Sequence, residues 1–158
     1  MNVMLPQAYL TDRQLQIWRL RSKRLTKAEV GRRLGITRQA VHDAEGIMLR
    51  KVEDALMHTA DANMLDVRYI DRTRGILLGY SPSTRRRVMI TFSAVNGVQT
   101  WHYQQPDCVA CEWVERCRGR LIQEAAERDI ELSDEMRELP PSELAHQIFA
   151  RLVPGLSV

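Results

Sequence analysis

Three cysteines, Cys108, Cys111 and Cys117, stand together in PDCVACEWVERCRGR, and the chain has no other. Clustered thiols in a compartment that keeps them reduced point to metal or redox chemistry, and their odd number argues against a simple disulfide framework. The spacing is Cys-x2-Cys-x5-Cys. Glu112, Glu115, Arg116 and Arg118 surround them, which is a poor pattern for inert core thiols. Zinc takes four ligands close around one ion, commonly from paired Cys-x2-Cys turns, and there is no second pair here. If CEWVERC is helical, Cys111 and Cys117 stand about 9 Å apart along the axis and about 240° apart around it. One ion does not bridge that gap unless the helix breaks. A cluster of several irons spreads its ligands, and thiolate is its normal ligand. The expectation is therefore an iron–sulfur cluster, with zinc as the alternative.

The same spacing resembles the end of the four-cysteine [4Fe–4S] motif of endonuclease III-type glycosylases and of WhiB-like regulators; Cas4-type nucleases carry a similar triplet. In the glycosylase pattern the fourth cysteine precedes the triplet by seven residues. Trp101 occupies that position here, and His102 is its neighbour. His102 and Asp107, which adjoins Cys108, are the candidate fourth ligands. A weakly held fourth position would leave one iron open to oxygen, nitric oxide or a small thiol, hence an expected redox or iron sensor.

The elements that must position this segment begin at the amino terminus. In LTDRQLQIWRLRSK, Thr11 and Gln14 have capping-box spacing, and Leu15 and Trp18 follow at helical spacing. LTKAEVGRRLG repeats the device with Thr26 and Glu29, and Gly35 stands where a left-handed cap ends a helix. A third helix restarts at Thr37, with Val41, Ala44, Met48, Val52 and Leu56 on one apolar face. Cap, breaker and restart fall at helix-turn-helix distances. The third helix is then the reader. Thr37, Arg38, Gln39 and His42 are the candidates for base edges, and Lys27, Arg32 and Arg33 for phosphates.

The stretch from Leu10 to Leu56 resembles the N-terminal domain of the archaeal Tfx family of transcription regulators. It is more distantly similar to the helix-turn-helix of sigma-factor region 4 and LuxR proteins. The resemblance covers about a third of the chain and implies sequence-specific binding of double-stranded DNA. The cysteine-bearing part departs from that family's pattern, so the family's signal is not carried over. Beyond Met48 the apolar stripe of the reading helix has two expected uses: it packs on a partner helix in a homodimer, or on the chain's own sheet.

Residues 66–103 change to strand character. DVRYID, GILLGY, RRVMITFSA and GVQTWHY are separated by turn signals, SPST and Asn96–Gly97 among them. A two-residue Asn-Gly turn places Phe92 opposite Trp101 and Ile90 opposite Tyr103, with His102 on the other face beside Thr91. Arg85, Arg86 and Arg87 are either a wing onto DNA phosphates or a solubilising edge. Farther on, Leu121, Ile122 and Ala125 are the inward side of a helix. After the Pro140–Pro141 break, Ser142 caps a last helix carrying Leu144, Ile148, Phe149 and Leu152. His146 reads as a packing or surface histidine, and His58 has no role.

Charge divides the chain. Residues 1–60 hold 11 Lys/Arg against 6 Asp/Glu, and residues 105–158 hold 6 against 11. A basic front suits a polyanionic partner, and an acidic tail does not lie on phosphates. There is no apolar run of membrane-spanning length and no secretory layout at the start, so a cytoplasmic protein without a membrane partner is expected. Phosphate-loop, zinc-protease and nucleophile-elbow motifs are absent, so no enzyme is expected. The reading is an α+β chain: a helix-turn-helix domain over 1–60, then 61–158 with a small antiparallel sheet and a helical cysteine-bearing region.

Overall fold

The computed structural model describes residues 10–103 and 107–156. Among them are six helices and one four-stranded antiparallel sheet, an α+β fold. Threonine starts each of the first three helices. Thr11 caps α1 (Asp12–Arg21) and Thr26 caps α2 (Lys27–Leu34), both as full capping boxes, with Gln14 and Glu29 reaching back to the cap backbone. Thr37 caps α3 (Arg38–Ala62), its hydroxyl accepting from the Ala40 amide at 3.0 Å. Gly35 ends α2 at φ 65°, in the left-handed region that favours glycine. A Cβ on Gly31 would stand 2.8 Å from the Ile36 carbonyl, so only glycine lets α2 approach the turn into α3 this closely.

The strands β1 (Asp66–Asp71), β2 (Ile76–Ser81), β3 (Arg86–Ser93) and β4 (Gly97–His102) form a meander in sequence order. Alternation gives the sheet two apolar faces. Leu77, Val88, Ile90 and Phe92 pack with Trp18, Val41, Met48, Val52 and Leu56 of α1 and α3. Ile76, Leu78 and Met89 pack on the opposite side with Leu121, Leu144, Ile148 and Phe149. The α3 stripe thus lies on the chain's own sheet; Val52, Leu56 and Ala60 are fully buried there. Trp18 meets Phe92 edge-on with ring centroids 4.9 Å apart. A Cβ on Gly75 would fall 2.5 Å from the Trp18 ring, and its φ of 63° also calls for glycine.

The β3–β4 register differs from the expected one. Phe92 pairs with Val98, Met89 with Trp101 and Val88 with His102. Asn96–Gly97 is not a two-residue turn. Gly97 pairs with Ser93 and closes a three-residue loop at φ 72°. The Ser93 hydroxyl accepts from the Val95 and Asn96 amides, and the Ala94 amide donates to Glu127, so tertiary contacts select the longer loop. The shift puts Trp101 and Phe92 on opposite faces. Trp101, not His102, lies beside Thr91, donating to its hydroxyl at 3.0 Å.

The remaining helices are α4 (Val114–Glu127), α5 (Asp134–Arg137) and α6 (Pro141–Ala150). CEWVERC is only half helical. Cys111 and Glu112 precede α4, and Trp113 holds its cap position with no side-chain cap bond, because no Ser, Thr, Asp or Asn stands there. Ser142 does not cap α6. Pro140 holds the cap position and Pro141 the first helical one, where a missing amide costs nothing.

A buried polar network fastens α4 to the sheet. Arg128 is 1% exposed and Glu124 0%. The guanidinium donates to Glu124 Oε2 at 2.6 Å and to the carbonyls of Arg74, Gly75 and Phe92. Glu124 Oε1 accepts from Thr91 at 2.9 Å. Burial pushes the Glu124 carboxyl up, against the opposing pull of Arg128. Glu127 accepts from Ser93, and its carbonyl accepts from Ser22 at the end of α1. Every charged group here has partners, the condition under which burial is tolerated.

Candidate nucleic-acid interface and cysteine cavity

The first turn of α3 is exposed on the side away from the sheet. Thr37, Arg38, Gln39 and His42 are all exposed, as are Arg32 and Arg33 at the end of α2, while Val41 between them is buried. Position follows from period: Val41, Met48 and Val52 anchor one side of α3 and turn the other outward. An open depression beside them is lined by Ala28, Gly31, Arg32 and Thr37.

Not every predicted contact is equally available. Lys27 is half-buried, bridging Glu45 at 3.1 Å and His42 Nδ1 at 2.7 Å. An ammonium only donates, so Nδ1 accepts, and the proton of the neutral ring then sits on Nε2, the other nitrogen. Lys27 is therefore a support for His42 more than a phosphate contact. Gln39 donates to Asp43 at 2.9 Å, which fixes its amide one turn along the helix. Sequence reasoning missed Glu45. It is 3% exposed and also takes Arg21 at 2.5 Å, joining α1, α2 and α3 at one carboxylate. Its signal was an acid on the buried side of a helix between Val41 and Met48.

Arg85, Arg86 and Arg87 lie elsewhere. Arg85 is the last residue of the β2–β3 turn and Arg86 and Arg87 open β3, near Gly79, which sits beneath Leu65 just past the end of α3. Arg38 is at the opposite end of that helix, roughly 36 Å away at 1.5 Å per residue. Arg87 instead stacks over Tyr103, 5.1 Å from its ring centre. These arginines are not a wing beside the exposed turn of α3.

The cysteines meet on the other side of the sheet. Cys108, Cys111 and Cys117 are half-buried, unpaired by disulfides, and line one cavity of about 320 Å³. Trp101 and Tyr103 of the β4 end form one wall, Val114, Arg120 and Leu121 of α4 another, and Ser142, His146 and Phe149 of α6 the third. The Cys108 thiol lies 3.9 Å from the Ser142 hydroxyl. The break before α4 lets Cys111 and Cys117 face the same space, which a continuous helix would forbid.

The two predicted fourth ligands fare differently. Asp107 is exposed and does not line the cavity; its Oδ1 accepts from the Val109 and Ala110 amides and shapes the cysteine loop. His102 borders the cavity but is exposed, and its pairing with Val88 places it on the α3 side of the sheet. His146, expected to be a packing or surface residue, is on the cavity wall. Its ring is 4.9 Å from that of Tyr103.

The metal-ligating side-chain types that line the cavity are three thiols and the imidazoles of His102 and His146. Among the described residues no three His, Cys, Asp or Glu side chains gather where a single metal ion would sit. The Tyr103 hydroxyl is buried and has no hydrogen-bond partner among the described residues. Burial pushes its pKa up to about 12.

No helix among the described residues is long and apolar enough to cross a membrane. Comparison of the chain with protein-family models, curated proteins and solved structures finds no match.

Proposed function

We propose that the chain is a sequence-specific, double-stranded-DNA-binding transcription regulator of the helix-turn-helix kind. In this reading its cysteine cavity holds an iron–sulfur cluster, probed by redox state, oxygen or iron supply. The observation that carries the DNA reading is the exposed first turn of α3. Arg38, Gln39 and His42 stand outward together, flanked by Arg32 and Arg33, on a helix whose other side is anchored in the core. Arg pairs with guanine and Gln with adenine through two parallel hydrogen bonds, and helix α3 is narrow enough for the major groove.

The cluster reading rests on three thiols sharing one cavity. When bound, a cluster there supplies reversible one-electron chemistry at a potential tuned by hydrogen bonds to sulfur. A chain of hydrogen bonds links the cavity wall to α1 and supports this reading. Trp101 on the cavity wall bonds Thr91, Thr91 bonds Glu124, and Glu124 bonds Arg128. Arg128 holds the Gly75 and Phe92 carbonyls, and both residues pack on Trp18 of α1. A homodimer on two-fold half-sites belongs to the proposal on grounds of operator symmetry alone. A reduced, cytoplasmic setting suits three free thiols.

Selection from a random duplex pool under anaerobic conditions, followed by fluorescence anisotropy, tests the DNA reading. Arg38→Ala should weaken the selected duplex and relax its preference at one base pair. Arg32→Ala should weaken all duplexes evenly and reduce the salt slope by about one. A pool that yields no enriched sequence overturns the reading.

A further inference from the structure

We infer that His146 of α6 is the fourth protein ligand of the cysteine site, supplied from outside the cysteine segment. The inference rests on the cluster reading above and deepens it. Strand parity separates the candidates. Trp101 and Tyr103 project to the α4–α6 side, since Trp101 approaches Phe149 and Tyr103 approaches His146. His102 lies between them in sequence and is the cross-strand partner of Val88, whose side chain is in the α1–α3 core. Successive residues of a strand face opposite ways, so His102 meets the cavity only at its exposed rim, not on the wall that Trp101 and Tyr103 form. Asp107 is committed to its own loop. His146 remains, half-buried and on the same cavity wall system as Cys108, Cys111 and Cys117.

Its placement follows from α6. Ser142 and His146 are one turn apart on that helix, and Ser142 is the residue nearest Cys108 among its polar contacts. Leu144 and Ile148, on the neighbouring stripe, are fully buried and fix the helix against the sheet. The Tyr103 ring packs on the imidazole and limits its rotation. A neutral imidazole is an established substitute for thiolate at an iron of a cluster, and it raises the reduction potential. Two thiolates from the loop before α4, one from its first turn and an imidazole from a separate helix would make cluster loss and α6 displacement one event.

The test compares wild type, His146→Ala, His146→Cys and His102→Ala, each purified and reconstituted with iron and sulfide without oxygen. Iron and acid-labile sulfide are assayed, and pulsed electron paramagnetic resonance of the reduced protein reads nitrogen bound to the cluster. Wild type and His102→Ala should show the nitrogen coupling. His146→Ala should lose it, and His146→Cys should keep full iron content without it. A coupling that survives in His146→Ala, or disappears in His102→Ala, overturns the ligand assignment while leaving the cluster reading standing. A wild-type chain that takes up neither iron nor sulfide overturns both.

Discussion

The two sides of the sheet present their chemistry in different ways. On the α1–α3 side, the candidate groups come from one continuous stretch, residues 27–42, and Thr37, Gln39 and His42 are each held by a neighbour within fifteen residues. On the α4–α6 side, the cavity takes Trp101 and Tyr103 from a strand end, three thiols from a loop and helix start, and His146 from another helix. A site built from local contacts survives loss of distant packing until the domain itself melts. A site gathered from four elements depends on whatever holds those elements together: here the Arg128 network for α4, and the apolar cluster around Leu144, Ile148 and Phe149 for α6.

That contrast predicts an ordering of effects. The largest belongs to Arg128→Ala. It leaves Glu124 buried without its cation and removes the side-chain donor from the carbonyls of Arg74, Gly75, Phe92 and Glu124, at a cost of about 3–5 kcal/mol. Urea denaturation measures it, and metal uptake should fall with stability. A loss under 1 kcal/mol would mean the network does not hold α4 in place.

Next comes Arg38→Ala, which should weaken specific DNA binding by about 1–3 kcal/mol, or roughly 5- to 150-fold, with the melting temperature unchanged. An unchanged Kd would remove Arg38 from the interface. Thr37→Ala removes a helix cap together with a candidate base contact and should lower stability by about 1 kcal/mol, with no effect on iron content. An effect on iron content would show that the two sides are coupled more tightly than the hydrogen bonds suggest.

The smallest effect is a pH dependence. The Thr26 backbone amide, and then its hydroxyl, hold the Glu29 carboxyl below its ordinary value of 4.5. The folded-state value is the lower one, so this contribution is present above the unfolded value and fades as pH falls through the folded one. Acid melts of wild type and Glu29→Gln should converge at low pH. Curves that stay apart by a constant amount across the range would show that the carboxylate charge plays no part.

The same contrast explains what the sequence discloses. The caps Thr11, Thr26 and Thr37, the Gly35 terminus, the α3 stripe and the strand positions are legible because each is a local signal read over a few residues. The β3–β4 register is not, because Glu127 and Ser93, thirty-four residues apart, select a three-residue loop over the Asn-Gly turn. That slip hides the parity of His102. Likewise Glu45 and Arg128 read as surface charges until their partners, Arg21 and Lys27 in one case and Glu124 in the other, are brought to them by the fold. His146 is the clearest instance. Its chemistry is visible in the sequence, but its proximity to the cysteine cavity exists only once α6 has packed.

The account turns on whether the cavity and the exposed turn of α3 communicate. The most direct measurement is an anaerobic anisotropy titration of the selected duplex with the iron-loaded chain and with the same preparation stripped of iron by a chelator. Linkage between the sites predicts Kd values differing by at least about fivefold, the lower range of allosteric coupling. Two superimposable titrations from chains of verified, different iron content would contradict it.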